Sequence, residues 1–489
     1  MRQQMLVAGA FALAMGGAAE AKDRLVLGMV LEPPHLDPTA GAAAAIDEVV
    51  YANIFEGLTR IDAQGEVRPA LAENWSIADD GLVYTFRLRD GVTFHDGTSF
   101  DSADVRFSLE RATAPDSVNA QKGLFEPIAS IATPDPHTVV VTLKRPTSAF
   151  LFNMGWGDAV IVGPESVDAN KTNPIGTGPF AFSEWVKGDR VEIRRNDTYW
   201  GPPVALAAAT FKFINDPAAA TAAMLAGDVD AFANFPAPEA LAQFAADPRF
   251  EVVIGTTEGE TILAINNAVP PLDDVRVRRA IAHAIDRQAI IDGAMFGYGT
   301  LIGSHFAPHH PAYVNLTGLS QHDPAKARAL LAEAGVNGLK LTLKLPPPSY
   351  ARRGGEIIAA QLKAVGIEAE LIPVEWAQWL EQVFTNKDYQ LTIVSHTEPM
   401  DIGIYARDDY YFNYHNPEFK QVMADLAATT DPRRQTALLG RAQTIIAEDA
   451  VNAFLFQLAK HGVWDARLRG MWPNSPIQAN DLTAVSWAE

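Results

Sequence analysis

Leu82, Tyr84, Phe86 and Leu88 alternate with polar neighbours, the two-residue period of a half-buried strand. Asp90-Gly91 and Asp96-Gly97 supply turns around a short second strand at 92–94. Asp101 then stands at a helix N-cap, with Asp104 three residues on as its capping-box partner. Elsewhere in the first half the pattern predicts strands at 25–30, 139–143 and 190–194 and a helix at 51–58. The second half is more regular. Leu272-Asp273-Asp274 starts a helix whose Val277, Ala280, Ile281, Ala284 and Ile285 keep one apolar face. Asp323-Pro324 opens another helix, closed by Gly335. Then follow a strand at 339–345, a helix at 355–365 ended by Gly366, a strand at 367–374, a helix at 376–384 and a strand at 389–394. That β-α-β-α-β order demands parallel strands and right-handed crossovers.

In an open parallel sheet the ligand crevice lies outside the carboxyl ends of the strands. The first strand ends at 346–350, so Tyr350, Arg352 and Arg353 belong there; the second ends at Trp376; the third at His396, Glu398 and Asp401. Tyr405, Tyr411 and Asn413 lie in an aromatic-rich stretch just beyond. Both charge signs and aromatics therefore meet at one mouth. Each residue also has a plainer role: the arginines as solvated surface, Trp376 as helix packing, the carboxylates as loop caps, the tyrosines as core. His305 and His309 have a metal-like spacing, yet Pro308 and Pro311 indicate a solvated loop, so no metal and no cofactor is assigned. His396 is the better candidate for ligand contact.

Composition narrows the setting. Residues 1–21 read as a secretion signal: Arg2, an apolar run at 6–15, and a small-residue cleavage pattern that puts the mature start near Lys22. No further long apolar run follows. The 489 residues imply more than one core, and a net charge of −20 argues against nucleic acid. There is no cysteine, which excludes disulfides, thiolate metal sites and a lipid tether through cysteine. Nucleophile-elbow, zinc-helix and phosphate-loop motifs are absent, so the chain is read as a non-enzyme, with periplasmic hydrolase a remote alternative.

The segment PALAENWSIADDG at 69–81, YTFRLRDGVTFHDG at 84–97 and ADVRFSLER at 103–111 resembles the family 5 extracytoplasmic solute-binding proteins, the receptors of peptide- and nickel-type ABC importers. GTGPF at 176–180 and the Asn196 to Tyr199-Trp200 tag match that family in order and spacing. The resemblance implies an α/β, two-lobed periplasmic binding protein fold with a hinge. It implies lobe one at 22–261, enlarged by an inserted subdomain at about 51–162, lobe two at 262–461, and a C-terminal return at 462–489. Hinge strands are expected near 262–266 and 454–458. Glu32 lies in the loop by which the family enters lobe one. In dipeptide-binding relatives an arginine of the 351–353 region holds the peptide carboxylate and an acidic loop residue the amino terminus. By position Arg352 or Arg353, and Glu398 or Asp401, inherit these roles. The loop departs from the pattern, with Glu-Pro-Met-Asp-Ile-Gly where relatives carry Asp-Pro after a glycine. The expected function is a soluble, monomeric periplasmic receptor that closes on a small solute and docks on an ABC permease, whose ATPase subunits it meets only indirectly. A short peptide or other zwitterion leads; an opine, oligosaccharide or organic cation is the alternative.

Overall fold

The computed structural model describes residues 22–41, 43–147, 149–398, 400–429 and 431–488; the secretion signal read at 1–21 lies outside the described residues. Two lobes share one sheet. Its order is Ile367–Pro373, Leu339–Leu345, Leu391–His396, Phe250–Ile265, Asn452–Asp465, Ala231–Phe232, Arg24–Met29, Ala208–Phe213, Arg190–Arg195 and Phe180–Val186. The first three strands belong to lobe two and the last five to lobe one. Separate apolar cores follow this division: one around Leu27, Phe180 and Phe211, another around Leu263, Ile281 and Leu343.

The two long strands between the lobes pair antiparallel, but their ladder shifts register between Thr256 and Glu260 and again between Thr261 and Ile262. The 262–266 stretch expected to bend is instead paired without a break to the 391–396 strand as far as Ile265. The register shifts against the other long strand run from Thr256 up to the first residue of that stretch, Ile262. A bulge leaves residues out of the ladder and bends the strand there.

In lobe two the β-α-β-α-β unit is present with parallel ladders, Leu339↔Ile367 through Leu345↔Pro373 on one side and Leu343↔Leu391 on the other. The first strand thus lies in the middle, which makes its carboxyl end a topological switch point. Its helix begins at Ser349 rather than Gly355. Glycine at 355 marks close packing, not a helix start: a Cβ there would lie 2.6 Å from Leu345 Cδ1. Arg352 and Arg353 consequently sit inside the first helical turns.

Lobe one carries a four-stranded antiparallel sheet, in the order Ala72–Ile77, Val83–Leu88, Thr138–Leu143, Ile128–Asp135. The helix Ser102–Thr113 has the expected capping box, with Asp101 accepting from Ala103 N and Asp104 accepting from Asp101 N at 2.9 Å. The short strand expected at 92–94 reduces to a single bridge, Thr93↔Ser99. The helix expected at 51–58 lies earlier, at Ala44–Val50. Carbonyls of the later stretch are taken by the GTGPF turn, since Gly178 N donates to Ile54 O and Phe180 N to Asn53 O, each at 2.9 Å. That approach needs glycine, because a Cβ at 176 would lie 2.0 Å from Ile54 O. The chain's end returns to lobe one, where Leu482 N donates to Asn53 Oδ1 and Trp487 Nε1 to Arg24 O. Among the described residues no helix is long and apolar enough to cross a membrane.

Candidate functional site

Strand alternation places Glu260, Ile262 and Ala264 on one face of the sheet and Thr261, Leu263 and Ile265 on the other. Glu260 is opposite both His396 and Gln457, where the inter-lobe ladder is broken. It is only 2% exposed, and among the described residues its Oε2 has no hydrogen-bond partner. Burial, reinforced by Asp401, Glu258 and Glu398, pushes its carboxyl well above the ordinary range.

The strand Leu391–His396 delivers the other acids. Beyond His396 the chain continues through Glu398 to Asp401, which precedes the turn Ile402–Ala406. His396 Nε2 and the Tyr411 hydroxyl share a 2.9 Å hydrogen bond. Burial lowers His396 to about 4, so it is neutral at pH 7 and does not offset the acids. Asp401 Oδ1 is 2.6 Å from His305 Nε2, and Glu258 Oε1 is 2.5 Å from His309 Nε2. Gln457 Nε2 donates to His309 Nδ1 at 3.1 Å, which leaves the His309 Nε2 proton for Glu258. His396, Glu398 and Asp401 each offer a donor atom within 4.8 Å of the others, so they are the residues that could hold a divalent cation.

Lobe one faces this set with acids of its own. Asp47 comes from the helix Ala44–Val50 and Asp158 from the turn Gly157–Ala159. Each has a buried Oδ1 without a hydrogen-bond partner among the described residues. Burial raises both carboxyls; the Asp158 charge adds to it at Asp47, while at Asp158 hydrogen bonds from Trp156 and the backbone of Gln121 oppose it and the charge of Glu398 across the lobe boundary adds to it. A Cβ at Gly157 would lie 2.2 Å from Asp47 Oδ1, so glycine lets that carboxylate approach. The lobes touch directly where Gln478 Nε2 donates to Thr397 O at 3.1 Å and to its Oγ1 at 2.8 Å. Among the described residues no lysine or arginine forms an ion pair with Asp47, Asp158, Glu258, Glu260, Glu398 or Asp401. Lys460, buried in the second long strand, donates to the carbonyls of Trp472 and Asn474 instead.

The structure thus gathers His396, Glu398 and Asp401, with Tyr411 bonded behind them. Tyr405 lies edge-on to His305 at 5.3 Å and accepts from Asn452, inside the aromatic core. Other candidates have bonds elsewhere. Tyr350 accepts from Ser395 N at 3.3 Å and packs into the core beneath its helix. Arg352 donates to the carbonyls of Pro346 and Val374, tying two strand ends together. Arg353 is exposed, with its guanidinium over the Phe296 ring. Trp376 packs edge-on against Trp379 at 5.7 Å. Asn413 donates to Asn266 at the far end of the long strand, and Glu32 accepts from Trp185 Nε1 and Gly188 N. The solvated-loop reading of His305 and His309 needs correction as well. The segment is a loop, but His305 is 1% exposed and both histidines are bound to carboxylates.

Glu258, Glu260, Asp47 and Asp158 escaped sequence reading. The first two had a legible signal, because Glu258-Gly259-Glu260 runs straight into the apolar stretch 262–265. Charges entering a buried strand are costly and call for a reason. Asp47 and Asp158 had none, since each lies far in sequence from the acids it meets.

The family model for bacterial extracellular solute-binding proteins, family 5 Middle, matches residues 66–418. The glutathione-binding protein GsiB of Salmonella typhimurium is 31% identical over 440 residues, 85% of each chain. The GsiB of Escherichia coli O157:H7 is 28% identical over 473 residues, 92% of each. The fold matches the periplasmic binding protein DppA of Helicobacter pylori, solved with the peptide STSA, at a TM-score of 0.86 and 24% identity over 96% of this chain and 99% of that one. It also matches the dipeptide binding protein of Pseudoalteromonas sp. SM9913, solved with Met-Leu, at a TM-score of 0.86 and 23% identity over 95% and 100%. A third match is AgaA of A. tumefaciens R10 with agropinic acid, at a TM-score of 0.84 and 24% identity over 95% and 99%.

Proposed function

The chain belongs to the family 5 bacterial extracellular solute-binding proteins, and we propose that it captures a short peptide, or another solute with an amino group, between its lobes for an ABC permease. Its role is binding and delivery rather than catalysis. The observation that carries the ligand reading is Glu260, a buried carboxyl with an unpartnered oxygen beside Glu398 and Asp401. Removing an ion from water without a partner costs several kcal/mol. A solute ammonium entering the cleft supplies that partner and allows the carboxylate to ionise. Peptides, bound by the solved relatives, carry such a group.

Closure follows from the same geometry. The solute touches acids on both lobes, so it binds the closed form better and shifts the population toward it. The register breaks around Thr256 to Ile262, and the facing part of the second long strand, support a bend there. The sequence has no cysteine to accept a lipid, which supports a receptor that acts free in the periplasm.

The deciding experiment is mass spectrometry of the solute released by denaturing protein purified from its native periplasm. A compound with a free amino group is expected. An uncharged glycoside would overturn the ligand reading.

A further inference from the structure

Building on the reading that the solute lies between the lobes, we propose that it carries two cationic groups. Glu260, Glu398 and Asp401 hold one; Asp47 and Asp158 of lobe one hold the other. Unpartnered buried oxygens occur on both sides, not one: Glu260 Oε2 at the broken ladder, and Asp47 Oδ1 and Asp158 Oδ1 in lobe one. Glu260 is 2% exposed and Asp158 6%, so water does not solvate these charges freely. A single ammonium on the Glu260 side would still leave the lobe-one pair facing each other and Glu398.

The protein's own cations do not neutralise this pair. His305 and His309 are bound to Asp401 and Glu258, and Lys460 to two carbonyls. Arg352 ties strand ends, and Arg353 lies over Phe296. Neither arginine offers a ready partner to a ligand carboxylate. Charge complementarity therefore selects for a second positive group, as in a peptide with a basic side chain or a diamine.

Two dipeptides isolate the second charge. Lys-Ala and norleucyl-alanine share both termini and differ by one ammonium. Titration calorimetry on the mature protein is expected to show Lys-Ala binding at least tenfold tighter. In the double variant Asp47→Asn/Asp158→Asn that ratio should shrink below threefold, with a thermal melt no lower than that of the parent to certify folding. If the unaltered protein binds both dipeptides equally and compacts in solution scattering, the second cation site is overturned while the receptor reading stands. If neither dipeptide binds, the peptide reading falls, and 1,5-diaminopentane against pentylamine decides the charge count. A tenfold preference for the diamine, lost in the double variant, sustains two cationic subsites; no preference overturns them. Zn2+ alone binding more tightly than any of the amines would also overturn the proposal, in favour of a metal at His396, Glu398 and Asp401.

Discussion

Glu56 in lobe one and Glu260 at the lobe junction are both buried glutamates, 7% and 2% exposed, yet they are built in opposite ways. Glu56 Oε2 accepts from Thr177 Oγ1 at 2.8 Å and Trp200 Nε1 at 2.9 Å, while Oε1 accepts from the Tyr199 hydroxyl at 2.8 Å. Glu260 has an oxygen with no donor and three carboxylates for neighbours. Burial raises the carboxyl of Glu56 against the opposing pull of its three donors; at Glu260 the neighbouring charges add to the effect of burial. Burial of a charge is therefore no mark of function by itself. What separates a structural carboxylate from a recognition carboxylate is whether the protein supplies the partners. The comparison also explains two sequence tags, since Thr177 of GTGPF and Tyr199-Trp200 of the later motif converge on Glu56 and hold lobe one together.

The sharpest attempt to break this contrast is Glu260→Gln. Truncating one member of a desolvated charge pair costs about 2–5 kcal/mol, roughly thirty- to several-thousand-fold in affinity. Calorimetry should find a loss of that size for the native solute, with the apo melting temperature unchanged or higher. Glu398→Gln and Asp401→Asn should each lose at least tenfold. Losses below threefold in all three would make the loop and ladder acids structural.

Glu56→Ala should do the reverse. Stripping the acceptor from one buried donor, Thr177, and two partly buried ones, Tyr199 and Trp200, costs about 2 kcal/mol of stability, visible in a denaturant melt. Affinity for the native solute should stay within threefold.

Ligand binding supplies the next effect. A hundredfold excess over Kd should stabilise the protein by about 2.7 kcal/mol and compact it in solution scattering. Bound ligand with an unchanged scattering curve would contradict closure.

Acidity tests the contrast in a graded way. The folded-state carboxyl of Glu260 titrates above its unfolded value, so in that window the native state binds more protons than the unfolded chain. Apo stability should therefore fall as pH rises from the ordinary carboxylate range toward neutrality, while affinity for an ammonium-bearing solute rises. Glu260→Gln should flatten both slopes. Asp104, held at about 6, Asp158, held at about 7, and Asp47, Glu48, Glu56 and Glu398, also raised by burial, will retain the rest of the stability slope in that variant.

The smallest effect is expected at Arg353. Exposed and stacked on Phe296, it should cost about 1 kcal/mol or less of stability when changed to alanine. Solute affinity should not move. A tenfold loss would restore the carboxylate-binding role that family resemblance implied for this region.

Much of the frame was readable before the structure, for local reasons. The alternation at 82–88, the Asp101–Asp104 capping box and the Asp323-Pro324 helix start depend on neighbours a few residues away, and each is present. The order of strands and helices at 339–396 likewise required a parallel unit, and its third strand pointed at His396, Glu398 and Asp401. Sequence failed where a side chain had two uses that look alike in one dimension. Gly355 resembled a helix boundary but permits close packing on Leu345, and Arg352 resembled a free cation but bonds two backbone carbonyls.

By itself, then, the chain determined its family, its secondary elements and one edge of the acidic cluster, because periodicity, caps and motif order are short-range properties. Only tertiary structure decided which charges meet. Glu260 comes near Asp401 because the unbroken ladder with 391–396 pairs 260 with 396, and Asp47 comes near Asp158 because Gly157 leaves room for its carboxylate. Whether each carboxylate found a donor, as Glu56 did, or was left for a ligand, as Glu260 was, depends on atoms contributed by distant segments.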